Sequence, residues 1–220
     1  MDRPFLRRKT VLIAMLMIAA LPAIGCTSGL FTAMYLFKGL DVDADFKDLK
    51  GKKVAVVCRP TASLTYSNAN VGRDLAQQIT LLLQEQVPKI KTIDQKKIAK
   101  WIDENTWEEY AEVGKAMKAD MVVAVDLESF SIYQGQTLYQ GKADATIRVF
   151  DCTKTGRGKE VFHKNIPQSV YPPSSPMPAS DRTEPEFRRE FVQVLAGQIA
   201  RYFYTHDPHD DVGLDAAALK

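Results

Sequence analysis

The sequence predicts an α+β fold of the α/β-sandwich kind: a mixed sheet of about four to five strands with helices packed on it, preceded by an N-terminal membrane-targeting helix. Three observations predict it. Val54-Ala55-Val56-Val57-Cys58 is an unbroken apolar run of strand length between Gly51 and Pro60, as in a strand buried on both faces. Farther on, Ala143, Ala145, Ile147 and Val149 alternate with Asp144, Thr146 and Arg148, which marks a strand with one buried and one wet face. Apolar residues elsewhere recur at helical spacing.

The elements follow in order. The spacing predicts a helix over 71–85, with Val71, Leu75, Ile79 and Leu82 on one face and Pro88 as its stop. A short strand over 90–93 comes next. Asp94 can cap a helix carrying Ile98, Trp101 and Ile102. Thr106 and Glu109 have capping-box spacing for another helix, with Tyr110, Val113 and Met117 inward. Long strands are expected over 121–133 and 138–150, joined through Gln134-Gly135-Gln136. Thr155-Gly156-Arg157-Gly158 turns into a third strand near Val161. The stretch 167–185 is rich in proline and serine and has no periodicity. Thr183 and Glu186 open a last helix with Pro185 in its first turn, where proline is tolerated. Its apolar face is Phe187, Phe191, Leu195, Ile199 and Tyr202. There is no internal repeat.

The N-terminal residues speak to location. Arg3, Arg7, Arg8 and Lys9 precede an apolar core over 11–20, and Leu21-Pro22-Ala23-Ile24-Gly25-Cys26 closes it. Those are the three regions of a secretory signal peptide. Ile24-Gly25-Cys26 resembles a bacterial lipobox, which implies that the Cys26 thiol is acylated and that the mature chain begins there. Ala23 stands where such boxes most often have leucine. Two other readings stay open: an uncleaved anchor, because no charge occurs over 11–37, and a plain cleaved signal. The first two put the basic end inside and the remainder outside. Thr27, rather than an acidic residue, follows the cysteine, which resembles the pattern of outer-membrane lipoproteins. The expected organisation is a signal peptide over 1–25, a lipid-anchored tether over 26–51, the α/β domain over 52–205 and a flexible tail over 206–220.

Charge excludes one class of partner. The chain has 29 basic and 27 acidic residues, and the leader holds four basic and one acidic, so the mature part is close to neutral. No basic patch remains to argue for nucleic acid. Cys58 and Cys152 are the other cysteines. Outside the cytoplasm they can pair as a disulfide or stay as two buried thiols.

The ordered set of elements carries a family resemblance. The strand Lys53-Val54-Ala55-Val56-Val57 is followed by a helix with Val71-Gly72-Arg73-Asp74-Leu75, then Ile93-Asp94, then Val113-Gly114-Lys115-Ala116-Met117-Lys118-Ala119-Asp120 leading into Met121-Val122-Val123-Ala124-Val125. A strand ending Val149-Phe150-Asp151 and Thr155-Gly156 complete it. This resembles the α/β sandwich of the curli-secretion channel lipoproteins, the amino-terminal domain of TolB and the lipoproteins that activate penicillin-binding proteins. Relatives often have Leu-Pro-Phe after the first strand; here it is Cys58-Arg59-Pro60. They often have glycine after the Ala-Asp strand, where this chain has Asp126. The resemblance implies a binding or assembly domain of the envelope without catalytic residues or cofactors.

The chemistry-bearing residues are sparse. There is no phosphate-binding glycine loop, nucleophile elbow or paired-cysteine zinc motif. Asp41-Val42-Asp43-Ala44-Asp45 begins like a calcium loop, but Phe46 and Lys52 replace the required glycine and glutamate, so it reads as solvated tether. His206 and His209 with Asp207, Asp210 and Asp211 offer metal donors on a tail that fixes no geometry, and no metal site is expected. Asp126 and Glu128, two residues apart on one strand, and His163 are the residues an enzyme would use; solvent-facing or structural strand positions are the commoner explanation. Tyr171-Pro172-Pro173 is a surface loop or an extended epitope. The expected activity is therefore non-enzymatic: a membrane-anchored module, facing the periplasm, that binds a protein of the envelope. The alternatives are an enzyme with a site outside known motifs and a secretion-channel subunit, for which the strands over 121–150 are too charged.

Overall fold

The computed structural model describes residues 41–67, 70–153 and 158–208. The leader with Cys26, the targeting helix, residues 155–157 of the predicted turn, and His209 with Asp210 and Asp211 lie outside them. The fold is α+β with a mixed sheet. In chain order the elements are β1 (Lys53–Pro60), α1 (Ala62–Ser67), α2 (Val71–Gln86), β2 (Lys91–Thr92), α3 (Gln95–Glu104), α4 (Tyr110–Ala116), β3 (Met121–Gln134), β4 (Leu138–Asp151), β5 (Lys159–Asn165), β6 (Ser169–Tyr171), β7 (Met177–Pro178) and α5 (Glu184–Ala200), which ends in a 3₁₀ turn over Arg201–Phe203.

The sheet runs β2-β1-β3-β4-β5, and β6 and β7 also pair with β4. β1 lies parallel to both neighbours, from Lys53↔Lys91 on one side and from Val54↔Met121 to Pro60↔Leu127 on the other. β3 and β4 form a long antiparallel hairpin. Its turn uses Gly135 at φ +72°, a conformation that costs glycine little.

Burial on both faces explains the apolar run of β1. Val54 and Val56 enter a large core that includes Leu75, Ile79, Phe187 and Phe191 of α2 and α5. Ala55 and Val57 enter a smaller one with Ile98, Tyr110 and Val113 of α3 and α4. Full burial of a side chain such as Phe187 or Phe191 stabilises by about 1.5–3 kcal/mol. Gly141 of β4 allows α5 to seat, because a Cβ there would stand 2.4 Å from the Phe191 ring.

Several expectations are corrected. The buried face of α2 ends in Leu83, fully buried, while Leu82 is half-buried. Four residues from Ile79, rather than three, keeps a side chain on the stripe here. The capping box of α4 is Glu109 with Glu112, one turn later than the Thr106–Glu109 pair. The box of α5 is Thr183 with Glu186, as expected. The stretch 167–185 contains β6 and β7. Tyr171 and Pro172 are buried, with Tyr171 stacked 6.0 Å from Phe187, while Pro173 is exposed, so the first two residues anchor the segment in the core.

The packed body begins at Val42 rather than Lys52. Val42 and His206 exchange backbone hydrogen bonds, and Phe46 N–H donates to Tyr202 O at 3.0 Å. Phe46 and Leu49 are buried, and the Phe46 ring sits 5.3 Å from Phe162. The solvated-tether reading weighted Asp41, Asp43 and Asp45 and overlooked the apolar residues between and after them.

Candidate binding groove at the end of the first strand

The functional side chains gather where β1 and β3 reach their carboxyl ends. Ligands of open α/β sheets bind at carboxyl strand ends where successive connections go to opposite faces; here α2, after β1, packs in the larger core and α3, after β2, in the smaller one. The register sets Arg59 beside Asp126. β4 brings Arg148 alongside, two residues from the Asp126↔Thr146 pair. The capping box of α4 places Tyr110 at the first helical position, pointing back at the strands.

Asp126 organises the cluster. It accepts from Tyr110 Oη at 2.5 Å through Oδ1, and from Arg148 Nε at 2.9 Å and Nη2 at 2.5 Å through Oδ2. Burial, then the hydrogen bond to Asp126, push the Tyr110 hydroxyl up, so it stays protonated at neutral pH. Burial likewise pushes the Cys58 thiol up, which leaves it a poor nucleophile.

Above this base stands a stack of cations and rings. The Arg59 guanidinium carbon lies 3.9 Å from the Trp107 ring centre and 4.6 Å from that of Tyr110. Arg148 lies 5.3 Å from Tyr110 and 5.5 Å from Phe150. Each such contact contributes about 0.5–1 kcal/mol at an exposed site, and more when desolvated. Arg59 Nη2 also donates to Glu108 O at 2.9 Å. Among the described residues, no carboxylate forms an ion pair with Arg59.

Arg59 belongs to two clefts at once. One, of about 480 Å³, lies between α2 and α3 over the edge of β1 and is lined by Val57, Ile98, Ile102 and Trp107 among others. The other, of about 390 Å³, lies against α4 and β4 and is lined by Tyr110, Arg148, Phe150 and three glutamates, Glu108, Glu109 and Glu160. The two clefts share Arg59 as a lining residue, so one bound segment can reach both past that side chain.

The residues singled out from the sequence fall differently. Asp126, Glu128 and His163 do share one polar side of the sheet. Glu128 accepts from Thr146 Oγ1 at 2.7 Å. His163 Nδ1 lies 3.0 Å from Glu160 Oε1, and its Nε2 lies 3.3 Å from Asn165 Oδ1. Asp126, Glu128 and His163 line neither cleft. Side-chain hydrogen bonds run between the strands, as in a structural ladder. Cys58 and Cys152 are both free. They pack against the two different cores, so no disulfide joins them. Cys26 is outside the described residues. His206 Nδ1 lies 3.3 Å from Tyr204 O, to which it can donate.

Sequence reasoning missed Arg59, Trp107, Tyr110 and Arg148 as a set. One signal was present: Arg59-Pro60 follows a buried strand at a carboxyl end, where an arginine has no core role. Nothing local linked it to Trp107 or Arg148.

No protein-family model matches this chain, and no curated protein matches it. Solved structures overlap with it in part. A PelC dodecamer from Paraburkholderia phytofirmans is 10% identical, covering 74% of this chain and 95% of that one with a TM-score of 0.44. Lipoprotein GNA1162 from Neisseria meningitidis is 12% identical, covering 67% of this chain and 97% of that one with a TM-score of 0.41. A minor lipoprotein from Acinetobacter baumannii is 13% identical, covering 69% of this chain and 91% of that one with a TM-score of 0.34. These neighbours include bacterial lipoproteins.

Proposed function

We propose that this protein is a non-enzymatic lipoprotein of the cell envelope. Lipid on Cys26 holds it to a membrane, the outer membrane in the first instance, with the domain facing the periplasm. There its groove binds another envelope protein. The observation that carries the reading is Arg59 stacked on Trp107 and Tyr110 between two clefts. Arginine and large aromatics at the centre of a partly desolvated patch are the residue types that dominate protein-binding energy. Tethering adds to this by raising the local concentration of domain and partner, which strengthens weak contacts without new ones. Of the residues of the enzyme reading, Glu128 bonds Thr146, His163 lies against Asn165 and Glu160, and Asp126 is held by Tyr110 and Arg148; none of the three lines either cleft.

The test is a photo-crosslinking amino acid in place of Trp107, in the full chain expressed in its own envelope. One discrete adduct is expected, reduced strongly by Arg59→Ala. A Cys26→Ser form, lacking the lipid acceptor, is expected to leave the membrane fraction and give less adduct. A folded, membrane-held protein that gives no discrete adduct would contradict the reading.

A further inference from the structure

We infer that the cleft between α2 and α3 takes the carboxyl-terminal residue of the partner polypeptide, an apolar side chain with its free carboxylate, while a basic residue upstream lies in the second cleft. This rests on the protein-binding reading above and names the chemistry of the partner.

The first cleft is bridged at one end, which favours a chain that terminates in it over one that passes through. β2 pairs only with Lys53 and Val54, so among the described residues the rest of β1 has no strand on that side. Such an edge ordinarily invites an added strand. Here two features blunt it. Gln95 Nε2 donates to Val56 O at 3.0 Å and to Thr80 Oγ1 at 2.7 Å, which closes the slot from α3 across to α2. Pro60, at the other end, has no N–H to offer. A segment entering past Trp107 along β1 therefore meets the Gln95 bridge at the far end. The apolar walls of Val57, Ile98 and Ile102 suit an apolar last side chain.

Charge fixes the direction. The first cleft carries Arg59, Arg73 and Lys96 against one carboxylate, Asp74. Arg73 shares its charge with Asp103 at 2.5 Å, which leaves Arg59 and Lys96 to meet an incoming anion. The second cleft carries Glu108, Glu109 and Glu160 against Arg59 and Arg148. Arg148 is held by Asp126 and also pairs with Glu160, which His163 contacts as well, so with Asp126 the carboxylates there still outnumber the cations. A segment with its carboxylate at the α2–α3 end and a cation at the α4 end satisfies both; the reverse orientation opposes both. Arg59 faces both clefts and is the arginine best placed for a two-pronged contact with a carboxylate.

The full chain in lipid nanodiscs would be presented with two random short-peptide libraries, one with free carboxyl ends and one with carboxamide ends. Binders are expected from the free-acid library, with an apolar last residue and an upstream lysine or arginine. Their carboxamide forms should bind about tenfold more weakly, the value of one charge-assisted contact. Arg59→Ala should reduce that difference to less than about twofold. Glu108→Gln with Glu160→Gln should remove the upstream basic preference. Equal binding of acid and carboxamide, or no binder from either library, would overturn the inference. A photo-crosslinker at Ala99, inside the first cleft, separates the two levels. Capture of an internal peptide of the partner would overturn the terminal-residue inference and leave the binding reading standing. Capture of nothing at either Ala99 or Trp107 would remove both.

Discussion

Arg59 shows how one residue acquires a role through its neighbours. A guanidinium stays charged at any relevant pH. Stacked on Trp107 and Tyr110 and without a carboxylate partner among the described residues, it is a held, unneutralised charge beside apolar walls. Asp126 acts differently, because it neutralises Arg148 and fixes Tyr110. The start of α5 offers a pH test at this scale. Glu184 lies below its ordinary value chiefly because Tyr133 donates to it at 2.8 Å, and the same bond pushes Tyr133 up to about 12. Glu186 lies below its ordinary value because the Thr183 hydroxyl and N–H donate to it. A carboxylate with a lowered folded-state pKa contributes stability that is present above its ordinary value of 4.5 and lost as pH falls through the lowered one. The unfolding midpoint should therefore drop below about pH 4.5, and Glu186→Gln should drop less steeply over that window. Identical acid profiles for parent and variant would contradict this account.

At the scale of elements, α2 gives a prediction that separates adjacent leucines. Leu83→Ala removes a fully buried side chain from the stripe that meets β1 and α5 and should cost about 2–5 kcal/mol. Leu82→Ala should cost clearly less, because Leu82 is only half-buried. Denaturant titration of both variants checks the ranking, and equal losses would show the helix face to be wrong. The same pair marks what the sequence conveyed. Strand and helix existence came through wherever periodicity ran long, as in β1, β4 and α5. Helical phase did not, because consecutive leucines at 81–83 satisfy several stripes equally. The α4 start was misplaced by one turn because Thr106, Glu109 and Glu112 all have the chemistry of a box, and only packing selects among them. The strap over 42–49 was illegible for another reason: its partners, Tyr202 and His206, are at the far end of the chain.

Over the whole molecule, the site depended on contacts that no local pattern encodes. Arg59 comes from β1, Trp107 from the approach to α4, Tyr110 from α4 and Arg148 from β4. Parallel pairing of β1 with β3 and the bulged β3–β4 register bring them together. Asp126 was visible in the sequence as an ionisable strand residue. Its role was not, because that depends on Arg148 lying across the strand at hydrogen-bonding distance. The central claim is that function resides in the Arg59 groove and requires no acid–base chemistry from the sheet. The most direct measurement is complementation of a deletion strain by two full-length variants, each first shown to fold and reach the membrane. Glu128→Gln, at a residue that lines neither cleft and whose side chain bonds across to Thr146, should complement as the parent does. Arg59→Ala should fail. The reverse outcome, failure of the first variant and success of the second, would contradict the account, since loss of a general acid or base costs an enzyme about 100-fold or more in rate.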